Sequence, residues 1–185
     1  NKVLEKKILN KIIYPTIQGL QDMNVVYSGF LYAGLMIVKD EPYLIEYNVR
    51  MGDPECQTIL PRLKTDFLDI VVATVNEDLK NINLEWFEDK SICVVLASKG
   101  YPDEFKNNSE IKGLKEIKLQ DNEYIFHAGT KVNNSKIYSN GGRVLNFVIK
   151  SDNLRVGRDQ AISLINKLNW HNGYFRKDIG YKIIS

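Results

Sequence analysis

The sequence predicts an α+β fold, mostly antiparallel in its second half, and three stretches carry that prediction. Residues 27–49, YSGFLYAGLMIVKDEPYLIEYNV, hold two strand-like runs, Phe30 to Val38 and Tyr43 to Val49. Between them lies the polar, proline-ended Lys39-Asp40-Glu41-Pro42, so the stretch reads as a β-hairpin. Residues 91–98, SICVVLAS, form an apolar run bounded by Lys-Gly-Tyr-Pro, as a buried strand does. Residues 153–168 set Leu154, Ala161, Leu164, Ile165 and Leu168 on one helical face. Strands and helices arranged in this order give layered α+β architecture rather than repeated βαβ units.

The elements follow in order along the chain. Residues 2–20, KVLEKKILNKIIYPTIQGL, place Val3, Leu4, Ile8, Leu9, Ile12 and Ile13 at helical spacing with lysines between them. Pro15 either ends or kinks that helix, or sits in the first turn of the next one. The chain opens on Asn1 in mid-pattern, so a fragment is expected whose first helix packs on a domain begun elsewhere. In the hairpin, Gly34 and the preceding Gly29 mark either a bulge or a close backbone approach. After Pro54 a helical pattern runs over 55–63 and again over 66–79, with Asp66 as N-cap. Residues 76–90 are charged and aperiodic, which sets the expected domain boundary, 1–88 and 89–185. Further strands are expected near 123–128 and 143–149, separated by the turn-rich NNSK and SNGG. No internal repeat is visible.

Whole-chain numbers limit the function. With 185 residues, 44% hydrophobic and 26% charged, the chain is globular and long enough for real cores. A net charge of +2 gives neither a nucleic-acid footprint nor a polybasic membrane patch. No apolar run reaches membrane-spanning length, and the Lys-rich opening is no secretory signal. Cys56 and Cys93 stand far apart in no metal or redox motif, so two reduced thiols in a cytoplasmic protein are expected. The Asn-x-Ser sites at Asn107 and Asn133 read as chance in an Asn-rich chain. Of 25 basic residues six are arginine, a type suited to planar, bidentate contacts.

The segment LIEYNVRMGDPE, residues 44–55, is the most informative. On a strand, Ile45, Tyr47 and Val49 share one face, expected to be core, while Glu46, Asn48 and Arg50 share the other. A carboxylate and an amide oxygen two residues apart stand roughly 7 Å apart at the backbone. Their side chains can converge on one cation, and magnesium suits a site with few protein oxygens completed by water and phosphate. Arg50, one step further, can clasp a phosphate or carboxylate. Gly52-Asp53-Pro54-Glu55 is a tight turn into a helix whose amides can meet an anion, and Asp53 and Glu55 can accept from an amine or hydroxyl. The same alternation also fits an ordinary solvent-facing strand edge, and spacing does not separate the two.

Longer strings do. The run YAGLM…IEYNVRMGDPECQ…LPRLKTD resembles the C-terminal half of the ATP-grasp module of the phosphoribosylamine–glycine ligase (glycinamide ribonucleotide synthetase) family. LASKGYP, FHAGT, GGRVLNF and YFRKDIGY resemble that family's C-terminal domain, in the same order. Nearly the whole chain is covered and resembles the last two-fifths or so of such an enzyme. The resemblance implies ATP held between two α+β subdomains, with magnesium (or manganese) bridging its β- and γ-phosphates. Glu46 and Asn48 fall on the metal-ligand positions, Arg50 on a phosphoryl- or carboxylate-holding one, and Gly52, Asp53 and Glu55 near the amine-bearing substrate. It implies attack of glycine on the γ-phosphate to give glycyl phosphate, then displacement of phosphate by 5-phosphoribosylamine. The N-terminal portion of the same enzyme, with its glycine-rich phosphate loop and adenine pocket, is the implied partner, and alone this chain should be inactive.

Departures and alternatives belong beside this. Many ATP-grasp enzymes carry a further acid on the first hairpin strand, whereas Ala33 to Val38 holds none, which favours this family over carboxylase relatives. Another ATP-grasp ligase and a non-catalytic, partner-binding fragment stay open as readings. His127 reads as a packed strand histidine and His171 as a loop or cap residue; no hydrolytic triad is supported. Gly141-Gly142 make a turn, and Arg143 either reaches a cleft or pairs at the surface.

Overall fold

The computed structural model describes residues 1–184, which form two compact units. The first contains Asn1–Gly52 and Thr65–Asn83; the second contains Asp53–Lys64 and the residues from Leu84 onward.

The first unit opens with α1 (Lys2–Ile8), capped by Asn1, whose side chain accepts from the Val3 amide at 3.0 Å. A π-helical turn, Leu9–Ile13, leads into α2 (Tyr14–Asp22). Pro15 therefore falls in the first turn of α2, where its missing N–H is tolerated, and the π turn absorbs the altered ladder. Antiparallel strands β1 (Tyr32–Val38) and β2 (Glu41–Asn48) make the hairpin. Its loop is only Lys39-Asp40, both at positive φ (49° and 59°), so Glu41 and Pro42 belong to the strand rather than to the turn. Gly34 faces Glu46 while Leu35 faces Leu44, leaving Ile45 as an extra, unpaired bulge residue. Lys7 and Lys11 both clasp Glu41 at 2.5 Å, docking the helical segment on the hairpin. Those hydrogen bonds, Lys11 first and then Lys7, hold the Glu41 carboxyl down at about 2.

The expected apolar core face of β2 is corrected here. Ile45 is 65% exposed and Val49 74%, and only Tyr47 is half-buried, its hydroxyl 2.6 Å from that of Thr16. A two-stranded ribbon offers little area to cover, the helical segment meets it near Glu41 and Tyr47, and the bulge lifts Ile45 out of the ladder. Within the same unit α4 (Phe67–Val75) is capped by Asp66, which accepts from the Leu68 amide at 2.8 Å. Phe67 stacks on Phe30 with centroids 5.8 Å apart.

The second unit begins with α3 (Glu55–Ile59) and a 3-10 turn, Leu60–Arg62. Residues expected to be linker pair back onto it: Phe87 donates to the Arg62 carbonyl at 2.8 Å and Lys64 to that of Glu85 at 2.9 Å. Strand β3 (Lys90–Ser98) is the predicted buried run. A short strand and a predicted one follow: β4 (Glu110–Ile111), then β5 (Glu123–His127). The hairpin β6 (Thr130–Asn133) and β7 (Lys136–Ser139) turns at Asn134-Ser135, inside NNSK. Strand β8 (Arg143–Ser151) follows, then α5 (Leu154–Ile165), β9 (Gly173–Tyr174) and α6 (Tyr181–Ile184). One antiparallel sheet runs β5-β8-β3-β9 and a second runs β4-β7-β6.

Burial explains this architecture. Leu145, Phe147 and Ile149 on one face of β8 join Val94 and Leu96 of β3 and Ala161, Leu164 and Ile165 of α5 in a single core. Asn153 caps α5, accepting from the Arg155 and Val156 amides at 2.9 and 3.2 Å. Gly157 lets the helix lie close, since a Cβ there would sit 3.2 Å from Ile92 Cγ2. The fold is therefore α+β with antiparallel sheets. His127 departs from expectation: at the strand end it is exposed, its Nδ1 2.9 Å from Thr130 Oγ1.

Candidate functional site

In the first unit the polar side of β2 behaves as its alternation predicts. Asn48 Nδ2 donates to Glu46 Oε1 at 2.9 Å, so the carboxylate and the amide converge. Turning the amide about its last torsion puts a second oxygen at the same spot. Opposite stands Gly34, where a Cβ would lie 3.0 Å from Glu46 Cγ and 3.7 Å from Oε1; glycine leaves the space that the glutamate stem uses. Among the described residues no three His, Cys, Asp or Glu side chains gather as a metal cluster. A carboxylate–amide pair does not need such a cluster. Two hard oxygens fit magnesium or manganese when phosphate oxygens and water complete the shell. Arg50 is exposed just beyond the strand, its Nη1 donating to the Met51 carbonyl at 3.0 Å. Gly52 is buried.

In the second unit Asp53 is held from two sides. Gln57 Nε2 donates to its Oδ1 at 2.9 Å, Arg143 Nη1 donates to its carbonyl at 2.7 Å, and Arg143 Nε stands 3.4 Å from Oδ2. Arg143 thus makes the surface pairing, one of the two expected alternatives. Glu55 opens α3; its carbonyl accepts from Thr58 Oγ1 at 2.8 Å, while its carboxylate makes no hydrogen bond or ion pair among the described residues. The expectation of an anion at the α3 amides is weakened by geometry: the helix is five residues long, and the Gln57 amide already donates to the Pro54 carbonyl at 3.2 Å.

A cavity of about 330 Å³ in this unit is lined by Pro54, Cys93, Ala97, Tyr101, Arg143 and Tyr174, among others. Arg176 on its wall is already paired with Asp178, at 3.2 and 2.9 Å. That bond raises the arginine and lowers the carboxyl. Burial first, then the charges of Asp53 and Glu55, push the Cys93 thiol up to about 12. Its protonated form is the favoured one, so the stabilisation is complete below the ordinary thiol value and is lost as pH rises toward 12. At pH 8 the thiolate fraction should fall about 10³-fold below that of an unfolded cysteine. Iodoacetamide labelling read by peptide mass spectrometry should therefore modify Cys93 far more slowly in buffer than in urea. Equal rates would contradict this burial.

Comparison with known proteins shows what family the chain resembles. Residues 1–56 match the family model described as phosphoribosylglycinamide synthetase, ATP-grasp (A) domain, and residues 91–182 match that of the same synthetase's C domain. A phosphoribosylamine–glycine ligase from Caldanaerobacter subterraneus is 46% identical over 183 residues, 97% of this chain and 43% of that protein. The chicken trifunctional purine biosynthetic protein adenosine-3 is 39% identical over 186 residues, 100% of this chain and 18% of that protein. The crystal structure of a phosphoribosylamine–glycine ligase from Thermotoga maritima superposes with a TM-score of 0.71 at 34% identity. That match covers 94% of this chain and 42% of the other.

The class so defined is an ATP-grasp protein with an appended α+β C domain. The chain belongs to the phosphoribosylamine–glycine ligase family and spans about two-fifths of the length of the bacterial relatives it matches.

Of the residues singled out from sequence, the fold joins Glu46 to Asn48, and Asp53 to Arg143. Sequence reasoning missed Gln57 as a holder of Asp53 and the reason for Gly34. The Gln57 contact is a four-residue spacing across the start of a helix, a signal that was open to reading.

Proposed function

We propose that the chain forms part of an ATP-dependent ligase joining glycine to 5-phosphoribosylamine through glycyl phosphate. The products are glycinamide ribonucleotide, ADP and phosphate, as a step of de novo purine synthesis. The converged Glu46–Asn48 pair is the observation that carries this reading, and the names of the relatives supply the substrates. The pair would hold magnesium or manganese, which screens the triphosphate from an approaching carboxylate. Arg50 would hold the phosphoryl group or the carboxylate, swinging off the Met51 carbonyl to do so. Gly52, Asp53 and Glu55 would orient the amine-bearing substrate. The domain boundary is proposed at 88 to 89, with the N-terminal portion of the same enzyme as partner. No helix among the described residues is long and apolar enough to cross a membrane, and we place the enzyme in the cytoplasm.

The test is ADP release by the full-length protein given ATP, magnesium, glycine and phosphoribosylamine. Release requiring all four is expected. Release that is indifferent to glycine, or served by another carboxylate, would replace this reading with a different ATP-grasp ligase.

A further inference from the structure

Gly-Asp-Pro-Glu and Gly-Gly-Arg-Val-Leu-Asn stand far apart in the sequence, yet Asp53 and Arg143 meet within the second unit. Arg143 leaves a tightly built platform. A Cβ on Gly129 would lie 2.8 Å from Gly141 Cα and 2.7 Å from the Arg143 carbonyl, and one on Gly142 would overlap the Tyr101 ring. Ser98 fastens the same corner, donating from its amide to the Gly142 carbonyl at 2.7 Å and from Oγ to that of Gly141 at 2.8 Å. From there one guanidinium engages both the backbone oxygen and the carboxylate of Asp53, while Gln57 takes the other carboxylate oxygen. Both carboxylate oxygens of Asp53 are thereby engaged from inside the unit. Glu55, two residues on, is the turn's unengaged carboxylate.

We infer that Arg143 is a positioning residue: it clamps Asp53 so that the Asp53-Pro54-Glu55 turn presents the Glu55 carboxylate to the amine of the incoming substrate. The role of Glu55 rests on the ligase reading; the clamp itself does not. Arg143 acts through Asp53 rather than by touching substrate. Lysine cannot replace it, because a point donor does not span a backbone and a side-chain oxygen as a planar fork does.

Full-length wild type, Arg143→Ala, Arg143→Lys, Asp53→Asn and the Arg143→Ala/Asp53→Asn double variant test this. Hydrogen exchange in peptides covering residues 53–58 should quicken at least about tenfold in Arg143→Ala, with β3 and β8 unchanged as the folding control. The kcat/KM for phosphoribosylamine should fall about 10- to 100-fold, with the KM for ATP within about twofold. Arg143→Lys should recover little, and the double variant should be no worse than the poorer single one. Unchanged exchange would overturn the clamp whatever the kinetics. Faster exchange with equal losses for all substrates would reduce Arg143 to a structural role and overturn the inference. Additive losses would show that Arg143 does not act through Asp53. A wild type without the ligase activity would overturn the role given to Glu55, and the exchange data would still decide the clamp.

Discussion

If the proposed ligase reaction is right, replacing Glu46 with alanine should lower metal-dependent turnover of the full-length protein by about 10²- to 10³-fold or more, the scale for losing one aimed electrostatic partner. Two features make this the largest functional effect. Among the described residues the proposed cation site offers two oxygens, so removing the carboxylate would halve that share of the metal shell and remove its negative charge. The proposed reaction would also bring a carboxylate to a triphosphate, so unscreened repulsion would fall directly on its transition state. The fold should survive, because Glu46 is exposed and its partners are Asn48 and the open space over Gly34. Circular dichroism and the midpoint of urea unfolding check that point. Wild-type turnover in a folded Glu46→Ala protein would remove the pair from the mechanism.

Phe147→Ala should cost about 3–5 kcal/mol, the range for deleting a fully buried aromatic side chain. Phe147 is 0% exposed and central in β8, between Val94 of β3 and Ile125 of β5. It belongs to the core shared with Ala161, Leu164 and Ile165 of α5. A cavity there separates the sheet from α5, and a typical domain has just about 5–15 kcal/mol to lose. Urea unfolding should show a midpoint shifted strongly downward in the second unit. Val132→Ala, at a position 73% exposed, should stay within about 0.5 kcal/mol as a control. A Phe147→Ala protein as stable as that control would contradict the core described here.

Particular residues show why some of this was legible in the sequence. The hairpin, β3, β8 and α5 each fill a window long enough for a period to register, and Asp66 and Asn153 stand where caps belong. Strands β4, β6, β7 and β9 are two to four residues long, too short for any period, and β4 and β9 pair with partners distant in sequence. The Lys39-Asp40 loop was obscured because neither residue is the glycine or asparagine such a turn favours. Ile45 and Val49 misled because apolar character shows what can be buried, whereas the covering surface is a tertiary matter. Glu46 and Asn48 were legible because their convergence needs only strand alternation. The Arg143 contact with Asp53 spans 90 positions, and no local pattern encodes it.

The most direct test of the Glu46–Asn48 pair as a cation site is manganese binding followed by electron paramagnetic resonance, with ATP present. The full-length protein should bind manganese with ATP, and Asn48→Leu and Glu46→Gln should each weaken that binding about 10- to 100-fold while leaving the urea midpoint in place. Manganese bound equally well by wild type and both variants would mean that its ligands lie elsewhere, and the catalytic reading of β2 would fall.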